Sequence, residues 1–264
     1  MRGILRMIPS SYGGNYSPLT DAWIVATSES DTTIISALRT FEEGLVLNSF
    51  VARLLAVYPF VGGNSTKHAF NFMDTANFQL TYFGGITHNA NGFNPNGSTG
   101  YAKTGIIPSA NMNGVTNSFG FYSRTSIAQF SVDIGSTKSN HTGSVVFTKD
   151  TDNLTYYSNN DTYGPSGNLS DTLGLISFTR NSSTVKKVFR RGVVNFTKNP
   201  ATQEIVSTFE FFISADNNAG YPARCFSTRN LSFVYFATAS FTDAEMLTFS
   251  SLVEELQTAL NRNV

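Results

Sequence analysis

From residue 115 to residue 238 the chain alternates short apolar-rich runs with clusters of turn-forming residues, and this rhythm constrains the fold more than any other feature. The runs 117–124, 127–134, 143–148, 154–158, 173–180, 184–190, 192–197, 205–213 and 231–238 have strand length. Regular short strands with turn signals between them make a sandwich or barrel. The turn clusters are Asn159-Asn160-Asp161, Gly164-Pro165-Ser166-Gly167 and Asp216-Asn217-Asn218-Ala219-Gly220, residue types that tolerate left-handed backbone or bond their own main chain. Along 205–213, Ile205, Phe209, Phe211 and Ile213 are placed on one face and Glu210 on the other, toward solvent.

Helical signals flank this region. Asp31 can cap a helix with apolar Ile34, Leu38 and Phe41, interrupted at Gly44. Asn48 can cap a second helix through Phe50, Val51, Leu54 and Leu55, ended by Pro59. Residues 60–108 read as loop, with one strand from Phe78 to Phe83. At the far end Thr242 and Glu245 form a capping box for a helix over 242–262, whose stripe of Phe249, Leu252, Val253, Leu256 and Leu260 packs on the sandwich. Residues 1–20 read as an extended arm, with a breaker-rich tether from Ser10 to Pro18. Its apolar Ile4, Leu5, Met7 and Ile8 are suited to anchoring on a partner. The expected organisation is this arm and one domain, 21–264, including a helical segment at 21–58.

With 264 residues, the chain buries roughly three-quarters of its unfolded surface and needs no staples. Cys225 is the sole cysteine, so no internal disulfide forms. Charge is balanced at 18 basic and 18 acidic residues, without the basic face that nucleic-acid binding requires. The densest basic cluster, Lys186, Lys187, Arg190 and Arg191, is split between two faces of a strand and reads as a solvated edge. Charged residues are only 14%, against roughly 25% in typical domains. Asn, Ser, Thr and aromatic residues take their place, a surface suited to assembly or to neutral ligands such as sugars. Met1 to Pro9 lacks the apolar core of a signal peptide, and no run is long and apolar enough to span a bilayer. The sequons at Asn64, Asn140, Asn195 and Asn230 are then by-products of composition.

Catalytic patterns are missing. Glu204 and Glu210 are six positions apart, roughly 20 Å along a strand, too far for a glycosidase pair. His68, His88 and His141 form no zinc motif, and neither a nucleophile elbow nor a phosphate loop occurs. Asp150-Thr151-Asp152-Asn153 and Asp216-Asn217-Asn218 offer oxygens for calcium, but each supplies only part of a shell, and turn formation explains both without a metal. No enzyme and no cofactor are expected, calcium being the one ion left open. If a ligand binds, exposed loops are the expected place: Asn159, Asn160, Asp161 and Tyr163 on one, Asp216, Asn217 and Tyr221 on another. Their rings can stack on sugars and their amides and carboxylates meet hydroxyls.

Several runs, in order, carry a resemblance: Tyr58-Pro59-Phe60-Val61-Gly62-Gly63-Asn64, Lys67-His68-Ala69-Phe70-Asn71, and Gly84-Gly85-Ile86-Thr87-His88-Asn89 followed by Gly92. Gly100-Tyr101-Ala102, Phe121-Tyr122-Ser123-Arg124-Thr125, and the ending from Phe241-Thr242-Asp243-Ala244-Glu245 to Leu260-Asn261-Arg262 continue it. Over about 20–264 the chain resembles concanavalin-A-like (laminin-G-like) jelly-roll domains of tailed-phage structural proteins, notably phages of Bacteroidetes. The resemblance implies an all-β sandwich of two antiparallel sheets with flanking N- and C-terminal helices. It also implies a virion component (capsid decoration, fibre or tail accessory), assembled in the host cytoplasm beside other virion proteins. A homo-oligomer is the default there, and a host-surface glycan is the external partner, with no nucleic acid and no membrane insertion. A secreted lectin would carry a signal peptide and a divergent glycoside hydrolase a carboxylate pair; the virion reading needs neither.

Overall fold

A computed structural model describes residues 17–139, 142–162, 165–199 and 206–264. The arm residues Ile4, Leu5, Met7 and Ile8, together with Tyr163, His141 and Glu204, lie outside the described residues. The described chain opens with helices α1 (Pro18–Thr27) and α2 (Thr32–Leu47), strand β1 (Leu54–Tyr58) and a single turn, α3 (Ser65–His68). Strands β2 (Thr81–Phe83), β3 (Ile86–Asn89), β4 (Gly92–Pro95) and β5 (Tyr101–Lys103) follow, then the turn α4 (Pro108–Asn111). Next come β6 (Asn117–Ser123), β7 (Ile134–Ser139), β8 (Thr142–Phe147), β9 (Thr155–Thr162), β10 (Pro165–Gly167), β11 (Gly174–Arg180), β12 (Lys186–Arg190) and β13 (Val193–Lys198). The chain ends with β14 (Phe212–Ile213), β15 (Asp216–Asn218), β16 (Leu231–Ala237) and α5 (Asp243–Ala259).

The strands make two packed sheets, a jelly-roll sandwich. The first runs β13-β12-β11-β6-β16-β4-β3, with β1 alongside β16; the second runs β10-β9-β8-β7-β14-β5-β2, with β15 alongside β7. Pairing is antiparallel except between β15 and β7. The first sheet is covered on both faces. From β16, Val234 and Phe236 point into the core between the sheets, with Phe119, Phe121 and Ile176. Phe233 and Tyr235 point the other way, onto Trp23, Phe41 and Phe249 of the helices. Alternate residues thus enter different apolar layers, which is why β6, β11 and β16 are buried along their whole length. Among the described residues the helices pack on the first sheet. The outer face of the second is covered at β8 by Val132 and Cys225 packed on Val145, and is open at a cleft over β5 and β14.

Four local expectations change. Residues 54–58 form β1, not helix, because their backbone pairs with β16 in register from Leu54–Ala237 to Tyr58–Val234. Asn48 closes α2 by donating Nδ2 to the Gly44 carbonyl, 2.9 Å, and Gly44 sits inside the helix, where a Cβ would lie 2.4 Å from Leu252 of α5. Residues 127–133 are irregular: the Arg229 guanidinium takes the carbonyls of Thr125 and Ile127 that a ladder would use. Over 60–108 there are four strands rather than one.

Along 206–213 only Phe212–Ile213 is strand. Phe211 and Ile213 face the core, whereas Phe209 lines an outer cleft, so the single apolar face expected there breaks before Phe211. The arm boundary also shifts, since Pro18 already begins α1. At the C-terminal helix the capping box is present as read, with Glu245 N–H donating to Thr242 Oγ1 and Thr242 N–H donating to Glu245 Oε2.

Candidate functional site

The outer face of the second sheet carries a cleft of about 620 Å³. Strand alternation builds its floor. Ala102 and Ile213 point into the sandwich, which turns Tyr101, Lys103 and Phe212 outward. Register sets Phe83 opposite Tyr101, and Phe212 opposite Lys103. The Phe83 and Tyr101 rings stack at 5.1 Å and 14°, and Tyr101 meets Phe212 at 4.8 Å. Lys103 Nζ lies 5.0 Å from the Phe83 centroid and 5.6 Å from that of Phe212, a cation held by two ring faces.

Glu210, two residues before Phe212, reaches the same side and accepts the Gly105 N–H through Oε2 at 2.8 Å. Burial, followed by the Glu210 charge, raises the pKa of the Tyr101 hydroxyl. The opposite wall is the turn after β15. Asn217 Nδ2 donates to the Glu210 carbonyl at 2.9 Å, and its Oδ1 accepts the Gly220 N–H at 3.1 Å. Left-handed Ala219 and Gly220 complete this bend and present Tyr221, 68% exposed, at the rim. The chemical inventory is a ring platform, one ammonium, one carboxylate and amide groups. Glu210 is the one carboxylate among the residues lining the cleft.

Of the residues proposed from sequence, Asn217 and Tyr221 line this cleft. Asp216 lies beneath it, buried, accepting from Thr137 Oγ1 at 2.7 Å and paired with Arg224 at 3.0 Å. Asn159, Asn160 and Asp161 are not on an exposed loop but buried within β9. Asn159 Nδ2 donates to Asn117 Oδ1 and Tyr157 Oη, and Asn160 Nδ2 donates to the Gly114 carbonyl. Asp161 holds buried Lys186 at 2.6 Å. Burial pulls the Lys186 ammonium down to about 8 against the opposing pull of Asp161. A bulge between Gly143 and Ser144 gives this polar segment strand pairing despite its turn-like composition.

The basic cluster is not a solvated edge either. β12 lies between β11 and β13; Lys187 pairs with Asp243 and Arg190 with Asp171. Sequence reasoning missed Tyr101, Lys103 and Phe212 as a group, because only the pairing of β2, β5 and β14 brings them together. The signal available was the alternation Tyr-Ala-Lys and the outward placement of Glu210.

Among the described residues, no three His, Cys, Asp or Glu side chains gather as a metal site. Asp150 Oδ1 is occupied by the N–H groups of Asp152 and Leu154. Burial raises the pKa of the Cys225 thiol, which packs on Val132 and Val145. No described helix is long and apolar enough to cross a membrane.

No protein-family model matches the sequence, and no curated protein matches it. Solved structures do match. One is of botulinum neurotoxin type C, whose cell entry depends on interaction with two ganglioside molecules; it is 13% identical with TM-score 0.56, covering 78% of this chain and 53% of that one. The binding domain of botulinum neurotoxin serotype D is 11% identical with TM-score 0.52, covering 76% and 52%. Trypanosoma rangeli sialidase in complex with 2,3-difluorosialic acid is 12% identical with TM-score 0.50, covering 82% and 38%. The chain spans about half the length of the neurotoxin chains. At these identities the likeness concerns the fold alone, a jelly-roll sandwich.

Proposed function

We propose that this chain is a non-enzymatic, lectin-like jelly roll of a phage virion, whose cleft on the outer face of the second sheet holds a host-surface glycan. The observation that carries the binding reading is the convergence of Tyr101, Phe212 and Tyr221 with Lys103 and Glu210 in one cleft. Ring faces pack against the C–H faces of a sugar, while an ammonium and a carboxylate meet its hydroxyls. Small-molecule sites combine apolar walls with a few placed polar groups in this way. A lone carboxylate in the cleft supports binding over hydrolysis by the paired-carboxylate mechanism that most glycosidases use. The match to botulinum neurotoxin type C, whose cell entry depends on interaction with two ganglioside molecules, is consistent with the same reading. The virion setting, with other virion proteins and further copies as partners, rests on the sequence resemblance over 20–264 and on the charge-poor surface.

A glycan array followed by titration calorimetry tests it. Tyr221→Ala and Glu210→Gln are each expected to weaken binding roughly tenfold, about 1.4 kcal/mol, with the melting temperature unchanged for exposed Tyr221. Binding that survives both substitutions removes the cleft as the site. Release of reducing sugar by the wild type, lost in Glu210→Gln, overturns the non-enzymatic reading.

A further inference from the structure

The β3–β4 hairpin sits at one edge of the first sheet and is fastened mainly by side chains. β4 meets β16 at a single register pair, Phe93 with Leu231. Further contacts hold the hairpin, among them Asn230 Nδ2 donating to the Phe93 carbonyl at 3.3 Å. His88 Nδ1 lies 3.0 Å from His68 Nδ1 of α3. The Ala90 carbonyl accepts from Arg262 at 3.4 Å. The Phe93 ring stacks on Phe60 at 5.5 Å and meets Tyr82 at 5.8 Å.

Two imidazole nitrogens at this distance share one proton: one ring donates and the other accepts. Protonating half-buried His88 alone leaves it a donor, and the bond survives. Protonating both rings sets N–H against N–H. Nothing nearby compensates the second charge. His68 is buried and its Nε2 has no partner. The charged groups that bear on it are His88 and Arg262, both basic. Tyr82 packs edge-on to His88 at 4.5 Å; burial raises its hydroxyl pKa and that of Tyr58 beside it, so both stay neutral.

We propose that the β3–β4 hairpin is an acid-released flap, locked by the neutral His68–His88 pair and opened when both rings are protonated, uncovering Phe60, Tyr82 and Phe93. Burial, then His88 and Arg262, lower His68 from 6.5 to about 3, and burial lowers His88. Because the closed-state value lies below that of a free imidazole, the closed hairpin has its full stability above about pH 6.5. That stability drains as pH falls from there toward about 3.

Amide hydrogen exchange at pH 7.5 and 4.5, corrected for intrinsic rates, is the test. Amides of 86–94 are expected to open at least about tenfold more often at pH 4.5, while those of β6 and β11 keep their protection. The double variant His68→Asn/His88→Asn retains an amide-to-amide bond without a titrating group and is expected to lose the acid response. Unchanged hairpin protection in the wild type overturns the proposal. So does equal loss in hairpin and β6, or an acid response that persists in the double variant. Should that variant not fold, imidazole titration by NMR in the wild type decides. His68 resisting protonation until the hairpin signals shift supports the flap, and titration near pH 6.5 with unshifted hairpin signals refutes it.

Discussion

Arg229→Met is expected to destabilise the protein by about 3–5 kcal/mol, as removal of one partner from a buried ion pair does. Arg229 and Asp133 are both fully buried and 3.1 Å apart. Asp133 also accepts from Ser227 Oγ at 2.8 Å and from Thr148 Oγ1. The guanidinium reaches Thr172 Oγ1 at 2.7 Å and the Ile127 carbonyl at 2.8 Å, so it replaces the missing ladder of the irregular segment before β7. Methionine fills the volume but leaves the Asp133 carboxylate buried without its counter-ion and takes a donor from the Ile127 carbonyl. Urea unfolding of wild type, Arg229→Met, Asp133→Asn and the double variant measures the effect. The double variant is expected to cost less than the two single costs together, because the residues act as one network. A single-variant loss under about 1 kcal/mol would show that water reaches this site.

The second large effect concerns Lys186 and Asp161. Lys186→Met leaves Asp161 buried with no counter-ion, again about 3–5 kcal/mol. The ammonium also donates to the Tyr157 carbonyl at 3.1 Å and lies 4.8 Å from that ring's centroid, so β9 and β12 lose a cross-sheet tie together. Asp161→Asn is expected to cost less, since an amide can still accept from Lys186. Neither variant is expected to alter glycan affinity once corrected for the folded fraction. Equal stability of Lys186→Met and wild type in urea, or a specific affinity loss in Asp161→Asn at full folding, contradicts the structural role assigned here.

These two sites mark where sequence reading stops. The sandwich was legible because strand length and turn spacing are local properties, and so was the C-terminal helix, whose cap needs only Thr242 and Glu245. β1 was not: Phe50, Val51, Leu54 and Leu55 fit a helical spacing, and only the distant partner β16 makes 54–58 a strand. Asn159-Asn160-Asp161 has turn composition, and its burial depends on Asn117, Gly114 and Lys186 arriving from elsewhere. Of the cleft, Asn217 and Tyr221 were visible as residue types on a turn, whereas Tyr101, Lys103 and Phe212 required the register of three strands. Alternation along 205–213 puts Phe212 on the face of Glu210, but nothing local sets it beside Tyr101 and Lys103.

The placement of β16 decides the order in which this chain can be completed. It is flanked by β6 on one side and by β1 and β4 on the other, yet it follows every other described strand in the chain. Until residue 237 has emerged, β1 and β6 present unpaired backbone edges, and the Phe-rich faces meant for β16 are uncovered. Such edges template pairing with other chains, and sheets closed by distant segments form slowly. Synthesis and folding of the sandwich are therefore coupled at β16, and a chain truncated before Leu231 is expected to aggregate rather than to fold into a smaller sandwich.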